Sequence, residues 1–433
     1  MGREGYDPGM TGTLIADSDL VTGLDGARAV TRAPTSSLAK CSGLHLVWVY
    51  TGDLATALDR VTWLETTAEL RALGWQVTLV AVGEGGLKHI DGIEVLSFRQ
   101  PRIYLLKQAI FHLRVLALLA RQWRSLDLVL FHSMSAPWLL PLRWLRPLMA
   151  GRSPLLVMDT RTLPMTVPEL EGVRLRLLRH FHNLMERFGN AMADGRLAIT
   201  PAMSEAVAIP PGKLWGVWPS GVRPETMASA REARVWPAAG TAVELIYIGC
   251  THYERNLSTF CRAMEGAAAR GMDFRLTIIG DGTERDELDR LAAQSRGRIR
   301  VLDPVPYREI PGCLGQAHVG ILPFPDEEKF RVSSAIKLFE YLAAGMPVLS
   351  TRIEPHVKVL GDCPCVFWAE HWEAEGLLAG LGRLWEQRDS LAERGEAAAV
   401  RVTDWTWQAS ARKLSDALLN GLGGPRGAHE RAS

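Results

Sequence analysis

The sequence predicts an α/β fold built as two doubly wound units. Three observations carry that reading. Short, largely apolar runs suited to buried parallel strands alternate with helical stretches, first between residues 44 and 200 and again from 244 onward. A stretch rich in Pro, Ala and Gly over 216–240 separates the two series. The length, 433 residues, exceeds what one hydrophobic core usually organises.

The first series opens with a strand at 44–50, the turn Thr51-Gly52-Asp53 and a helix over 57–73 closed by Gly74. A strand at 76–82, a turn at Gly83, Gly85 and Gly86, a strand at 93–98 and a helix over 104–123 follow. The strand 126–131 ends at His132, the strand 155–158 at Asp159, and a helix over 173–188 precedes a strand at 197–200. The second series runs through strands at 244–248, 274–279, 299–302, 319–323 and 347–350, with helices between them. Helices near 373–387 and 407–421 finish it. The expected organisation is a disordered tail over 1–42, a first domain over 43–218, a linker over 219–240 and a second domain over 241–406. A final helix over 407–421 crosses back toward the first domain, and 422–433 form a second disordered tail. In such sheets ligands bind beyond the C-terminal strand ends, so the expected active site is a cleft between the domains.

Composition narrows the function. Hydrophobic residues make up 47% and charged residues 22%, as in ordinary globular chains, and 49 Lys plus Arg nearly cancel 48 Asp plus Glu. Nothing in that balance points to nucleic acid. The first 42 residues lack an apolar core segment, so no export signal is expected, and no run approaches the roughly 20 apolar residues of a spanning helix. That weighs against the alternative of a periplasmic binding protein, another architecture of two Rossmann-like domains. The six cysteines form no disulfide framework, and a reducing, cytoplasmic setting is expected. Cys363-Pro364-Cys365 with His371 fits no standard zinc spacing and is read as a buried pair at a strand edge.

No P-loop and no strand-linked Gly-x-Gly-x-x-Gly is present. The informative segment is Arg331-Val-Ser-Ser-Ala-Ile-Lys-Leu-Phe-Glu-Tyr-Leu-Ala-Ala-Gly-Met-Pro-Val-Leu-Ser350. Ser333 and Ser334 are good helix caps, whose turn would aim free backbone N–H groups at a diphosphate. Lys337, one turn in, could reach the same anion. Glu340, a further turn along, suits a ribose diol because a carboxylate accepts two hydroxyl hydrogen bonds at once. The alternative is a plain surface ion pair between Lys337 and Glu340.

Lys337-Leu-Phe-Glu340-Tyr-Leu-Ala-Ala-Gly345-Met-Pro347-Val resembles the signature of the retaining glycosyltransferases of bacterial group 1, family 4, which have the GT-B fold of two Rossmann-like domains. The resemblance extends through Ile246-Tyr-Ile-Gly249, Ile278-Ile-Gly280-Asp281-Gly282 and Ala317-His-Val-Gly-Ile-Leu-Pro323, and more loosely over 44–222. It implies a nucleotide-sugar donor, a glycan or lipid-linked acceptor, and no cofactor. It places Glu340 on the nucleotide ribose, and Gly249, Gly280 and Gly282 where donor phosphate and sugar approach backbone, with Asp281 as loop cap or sugar contact. Arg255 resembles one member of the basic pair that neutralises the departing diphosphate; Cys250 and Thr251 stand where the other is expected, and Lys337 offers a substitute. Val332, eight residues before Glu340, takes the place of the family's first glutamate, as in sub-branches with a similar Ser-x-x-Lys-x-x-Glu-Tyr pattern.

Transfer of a glycosyl group needs stabilisation of charge growing on the leaving diphosphate. Arg255, Lys337 and backbone N–H groups near Ser334 supply it without a metal, and no Asp-x-Asp cluster suited to a cation is seen. His132 resembles a family histidine that contacts the donor sugar; a core histidine is the alternative. Gly52, Asp53, Asp159 and Arg161 lie at strand ends on the acceptor side. Trp405 and Trp407 are read as packing at the domain crossover. Two other readings stay open: a sugar-nucleotide epimerase of the same fold, and a donor-binding paralogue without turnover.

Between Arg99 and Arg152 nine basic residues face one acid, Asp127. Lys107, Arg114 and Arg121 recur every seventh residue beside an apolar side assigned to Leu106, Ile110, Leu113 and Ala117. Arg174, Arg176, Arg179 and Arg187 extend the charge. With Trp138 and Trp144 nearby, this face suits an anionic membrane surface at the inner leaflet. The alternative is a solvated face flanking an acidic acceptor site.

Overall fold

The computed structural model describes residues 43–54, 57, 59–101, 103–148, 153–163 and 173–423. The expected tail over 1–42, residues 424–433 of the second expected tail, Arg102, Arg152 and the Arg174 side chain lie outside the described residues; Leu422 and Gly423, expected in that second tail, instead belong to the final helix Trp407–Gly423, where Leu422 is buried in the core. The first domain is an eight-stranded sheet in the order β3-β4-β2-β1-β5-β6-β7-β8. Its strands are β1 His45–Asp53, β2 Gln76–Val82, β3 Gly86–Ile90, β4 Ile93–Phe98, β5 Leu128–Phe131, β6 Leu155–Thr160, β7 Gly195–Ala198 and β8 Leu214–Val217. All neighbours are parallel except β3 and β4, which form an antiparallel edge hairpin; β4 is the strand expected at 93–98, and β3 is an addition that follows the glycine turn. β8 is likewise an addition to the expected strands.

The second domain is a six-stranded parallel sheet, order β11-β10-β9-β12-β13-β14. It comprises β9 Val243–Ile248, β10 Phe274–Ile279, β11 Ile299–Leu302, β12 Val319–Leu322, β13 Val348–Thr351 and β14 Val366–Ala369. Strand β12, Val-Gly-Ile-Leu, is wholly buried. A Cβ on Gly320 would meet the Tyr341 ring at 2.3 Å, so only glycine lets the helix Ile336–Ala343 settle on the sheet. The Ile248 amide then donates to the Tyr341 hydroxyl at 3.2 Å, pinning that helix over the end of β9.

Helices Tyr104–Gln122, Ala136–Leu145 and Val173–Met192 cover one face of the first sheet, and Arg60–Ala72 with Trp407–Gly423 cover the other. The final helix thus completes the first domain's core. Trp75 Nε1 donates to Ser415 Oγ at 2.9 Å, and Leu414 and Leu418 are fully buried. Trp405 stacks on Phe339 and Trp407 is 1% exposed, so both pack at the crossover. The linker is structured, with a short helix Ala228–Ala233 that packs on the helix Ile310–Gly315. Arg223 spans the domains, pairing with Glu65 at 2.5 Å and Glu69 at 3.0 Å. Cys363 and Cys365, expected as a pair at a strand edge, sit just before β14 joined by a disulfide.

The helix Tyr104–Gln122 is turned differently from expectation. Its buried side is Phe111, Val115 and Leu119, while Leu106 and Leu113 are exposed beside the basic row. The helix is apolar nearly all round, so periodicity alone did not fix its phase. Two of the expected basic residues are also neutralised by a carboxylate from far along the chain: Arg143 and Arg146 pair with the buried Asp194 at 2.9 and 2.7 Å.

Gly320→Ala should force Tyr341 off its seat at a cost of about 1–3 kcal/mol, the usual range for overpacking a core. The check is a urea titration, in which the unfolding midpoint should fall.

Candidate functional site

The ends of β9 and β10 meet backbone to backbone. A Cβ on Gly280, whose φ is +151°, would lie 1.9 Å from the Gly249 carbonyl oxygen, and one on Gly282 would lie 2.6 Å from the Thr251 carbonyl carbon. The loops after the two strands can close together only because these positions are glycine. Asp281 is exposed and its Oδ1 accepts from the Gly282 amide at 2.8 Å, a loop cap.

Lys337 enters this junction from the helix Ile336–Ala343. A Cβ on Gly249 would sit 3.0 Å from both Lys337 Cε and Nζ, and Nζ stands 5.0 Å from the Tyr247 ring centre. Arg255 enters from the turn Tyr253–Arg255, with its guanidinium 5.1 Å from the Phe324 ring centre and 5.2 Å from that of Phe330. The turn is held by Lys329, which pairs with Glu254 at 2.7 Å, and by left-handed Asn256, whose amide donates to the Pro323 carbonyl at 3.0 Å. Burial, then the nearby Arg255 charge, pulls the Lys337 ammonium down to about 8. Two cations sharing one interior space are stabilised by an anion between them. Two buried polar atoms here, Arg255 Nε and Thr251 Oγ1, have no hydrogen-bond partner among the described residues.

Cys250 lies in the same cluster and hydrogen-bonds Arg255. Burial pushes its thiol up, but Lys337 and Arg255 together outweigh it and the net direction is down. Glu340 is 8% exposed, and burial pushes its carboxyl up to about 7, against the pull of Lys337 and of a hydrogen bond from Tyr307. Lys337 and Glu340 therefore face different partners, a cation at the strand ends and a carboxylate beside Tyr307, which is not a surface ion pair.

The expected caps are corrected. The helix N-cap is Ala335, in extended conformation, and no side chain caps the first turn. Ser333 Oγ donates to the Phe330 carbonyl at 2.9 Å, and Ser334 Oγ accepts from the Ser220 amide at 3.2 Å. Both hydroxyls are thus spent elsewhere. Val332, at the position of the family's first glutamate, is 3% exposed and packs with Ala198, Ile199, Met203, Val207 and Ile209 of the first domain. Its carbonyl accepts from Thr200 Oγ1 at 2.7 Å.

The first-domain residues form a second cluster. His132 follows β5, and its Nδ1 lies 3.5 Å from the Met134 amide. Burial lowers its pKa, with Glu186, His182, Arg196 and Asp59 as charged or titratable neighbours. The imidazole is accordingly neutral at neutral pH. Asp159 accepts from Trp218 Nε1 at 3.1 Å through one oxygen, while the other is buried without a partner among the described residues. Arg161 stacks 3.7 Å from the Trp218 ring centre and donates to Ser220 Oγ at 3.3 Å. Ser220 thereby links this cluster, through Ser334, to the segment before the helix Ile336–Ala343. Gly52 leaves room for the Tyr50 ring, 2.8 Å from where its Cβ would be, and Asp53 is exposed at the end of β1. Sequence reasoning missed Tyr247, on β9 two residues before Gly249, and Tyr307 and Ser220, which come from more distant segments.

Comparison with known proteins agrees with this architecture. A family profile described as "Glycosyl transferases group 1" matches residues 242–408, and one described as "Glycosyltransferase Family 4" matches 60–226. The chain belongs to the group 1, family 4 glycosyltransferases. It is 25% identical over 229 residues to a glycogen synthase of Mycobacterium tuberculosis, covering 52% of this chain and 51% of that one. The match thus spans about half the length of that relative. It is also 25% identical over 285 residues to a phosphatidyl-myo-inositol mannosyltransferase of Mycolicibacterium smegmatis, covering 65% of this chain and 68% of that one. In fold it is similar to the catalytic domain of starch synthase IV from Arabidopsis thaliana, solved with ADP and acarbose. That likeness has a TM-score of 0.64 at 12% identity and covers 88% of this chain and all of the other. The fold is GT-B: two Rossmann-like α/β domains.

Cys250 should react with iodoacetamide faster than the buried Cys261, and a nucleoside diphosphate should slow that reaction. Mass spectrometry of the alkylated peptides with and without ADP or UDP reads this directly; equal rates would remove Cys250 from the anion cluster.

Proposed function

We propose that this glycosyltransferase moves a sugar from a nucleotide-sugar donor to a glycan or lipid-linked acceptor, with retention of anomeric configuration and without a metal ion. The carrying observation is the meeting of Lys337 and Arg255 over the Gly249–Gly280 junction, where Arg255 Nε and Thr251 Oγ1 lack partners. A diphosphate supplies what that space lacks. Its negative charge relieves the crowding of two cations and its oxygens accept from the unpartnered donors. Glu340, one turn along the helix from Lys337, receives the ribose hydroxyls. As the glycosidic bond to the diphosphate breaks, Arg255 and Lys337 hold the charge left on phosphate. Arg255 is cationic throughout and Lys337 is cationic below about 8, so no metal is needed for this role. Neutral His132 approaches the donor sugar from the first domain, and Asp159 and Arg161 supply the acceptor side. Retention rests on the family resemblance.

Calorimetry with a panel of UDP-, GDP-, ADP- and dTDP-sugars tests the donor reading. Glu340→Gln should weaken the best binder by about 1.5–3 kcal/mol, the range for a hydrogen bond to a charged group. Affinity should follow a bell in pH. It rises as Glu340 ionises through about 7 and falls as Lys337 loses its proton through about 8. Product formed without acceptor would indicate an epimerase, and binding with neither transfer nor hydrolysis a paralogue without turnover. Proton NMR of a transferred product reads the anomeric outcome.

The acceptor side also carries a surface suited to an anionic bilayer at the inner face of the membrane. No helix among the described residues is long and apolar enough to cross a membrane. The helix Val173–Met192, however, reaches the sheet only near its end, where Glu186 accepts from Arg196 at 3.0 Å and from Thr160 at 3.1 Å. Along its earlier turns Val173, Leu177, Phe181 and Leu184 form an outward stripe, each at least 44% exposed. Leu106, Leu113, Trp144 and Leu148 are exposed on the same layer of helices, with Lys107, Arg114, Arg121, Arg176 and Arg179 around them. Apolar insertion framed by cations fits reversible contact with acidic lipid, worth about 1 kcal/mol for each nearby Lys or Arg.

Cosedimentation should show binding to vesicles containing phosphatidylglycerol, weakening as salt rises, and none to phosphatidylcholine alone. Lys107→Glu/Arg114→Glu/Arg121→Glu and Leu177→Ser/Phe181→Ser should each reduce it without changing donor affinity. Undiminished binding by both variants would point to a solvated face beside a soluble acceptor.

A further inference from the structure

We propose that Lys329 is a positioning residue for Arg255: its ammonium holds the Glu254 carboxylate and so sets the direction in which the neighbouring guanidinium meets a diphosphate. This role presupposes that Arg255 contacts the diphosphate, as read above. Lys329 Nζ pairs with Glu254 Oε1 at 2.7 Å, and the two side chains are nearly enclosed, at 10% and 2% exposure. A buried ion pair adds little stability over apolar side chains packed in the same space. What it adds is direction, because a charge-assisted hydrogen bond fixes where both partners lie.

Arg255 takes its direction from its backbone. Its guanidinium lies 5.1 and 5.2 Å from the ring centres of Phe324 and Phe330, which stack on each other 4.9 Å apart. Ring faces attract a cation without aiming its N–H groups. Glu254 and Arg255 are consecutive in the single 3-10 turn Tyr253–Arg255, where three residues complete a turn and neighbouring side chains diverge by about 120°. Anchoring Glu254 therefore decides where Arg255 points. Asn256 holds the end of the same turn, donating to the Pro323 and Trp372 carbonyls at 3.0 and 2.6 Å.

Lys329 itself stands on a fixed base, 75 residues along the chain from Glu254. Its short helix, Glu328–Arg331, is closed by the Phe330 and Arg331 amides, which both donate to the Glu327 carbonyl at 2.9 Å, and Phe330 is 2% exposed. The half-exposed Glu327 carboxylate adds a second contact to Nζ at 2.7 Å. Directly after the helix Val332 is seated among apolar side chains of the first domain, and its carbonyl accepts from Thr200 Oγ1 at 2.7 Å. The ammonium is thus braced from both domains, and through Glu254 it braces the turn that carries Arg255.

The test is calorimetry on wild type, Lys329→Met, Lys329→Arg, Lys329→Met/Glu254→Gln and Arg255→Met, with ADP, UDP, GDP and dTDP and the matching monophosphates at one pH and salt concentration. The quantity read is the preference for diphosphate over monophosphate, in which contacts to the nucleoside cancel. Lys329→Met should cut that preference about tenfold, the low end for losing a hydrogen bond to a charged group, and leave monophosphate binding unchanged. Lys329→Arg, which keeps a cation against Glu254, should restore it. Lys329→Met also strands a buried carboxylate, which the double variant removes. In the double variant the urea unfolding midpoint should return toward wild type while the preference stays low. Recovery of the preference together with the midpoint, or equal losses for monophosphate and diphosphate, would overturn the positioning role and leave the pair a stabiliser only. If Arg255→Met abolishes the preference while Lys329→Met does not, Lys329 is excluded and the diphosphate reading stands. If Arg255→Met leaves the preference intact, or wild type binds none of these nucleotides, the diphosphate reading fails and the role of Lys329 with it.

Discussion

The candidate site in the second domain depends on how one eight-residue helix is seated. Gly320 supplies the missing Cβ that admits the Tyr341 ring, and the Tyr341 hydroxyl takes the Ile248 amide at 3.2 Å. These contacts fix both the height and the rotation of Ile336–Ala343 over the sheet. Residues three apart on a helix differ by about 60° in direction, enough for neighbouring side chains to serve separate ends of one ligand. Lys337 therefore reaches the strand ends while Glu340 reaches Tyr307. A rotation by one residue would carry both away from their partners. The glycines after β9 and β10 complete the arrangement by clearing space for the ammonium.

The same helix is tied to the opposite domain through the segment before it. Val332 fills a pocket made by Ile199, Met203, Val207 and Ile209, and its carbonyl and Ser334 accept from Thr200 and Ser220. A glutamate could not occupy that apolar pocket without a large desolvation cost. Here the chain departs from the family resemblance for a structural reason: the position of the family's first glutamate instead joins the domains. The geometry of the loop before Lys337 and the approach of the domains are consequently set by one short stretch.

Much of the fold was legible because alternation of strand and helix is local in sequence. The parts that were not legible share a cause. β3 is exposed along most of its length and its Gly-Leu-Lys-His-Ile run shows no apolar strand pattern, while β8 is a half-buried four-residue run, Leu-Trp-Gly-Val, inside a stretch whose Pro and Gly content reads as a linker. In the site, Lys337 and Glu340 were legible because both sit on one helix at fixed spacing. Tyr307 and Glu340 are brought together only by the tertiary packing of a loop against a helix, and Asp194 reaches Arg143 and Arg146 across about fifty residues of chain. Ser333 and Ser334 have the right chemistry for caps, but Ser333 bonds back to the Phe330 carbonyl and Ser334 accepts from Ser220 of a distant segment.

The closing helix has a consequence for how the molecule comes into being. Leu414, Ala417, Leu418 and Leu422 form one wall of the first domain's core, against Trp75 and β8. During synthesis that wall leaves the ribosome after the whole second domain, whose strands all lie between residues 243 and 369. The later domain can therefore complete its sheet while the earlier one still has an open apolar flank. Assembly runs against the order of translation, and the nascent first domain needs shelter for that flank until the last helix arrives. Cutting the chain at the linker would separate two folding units in sequence but leave one of them without part of its interior.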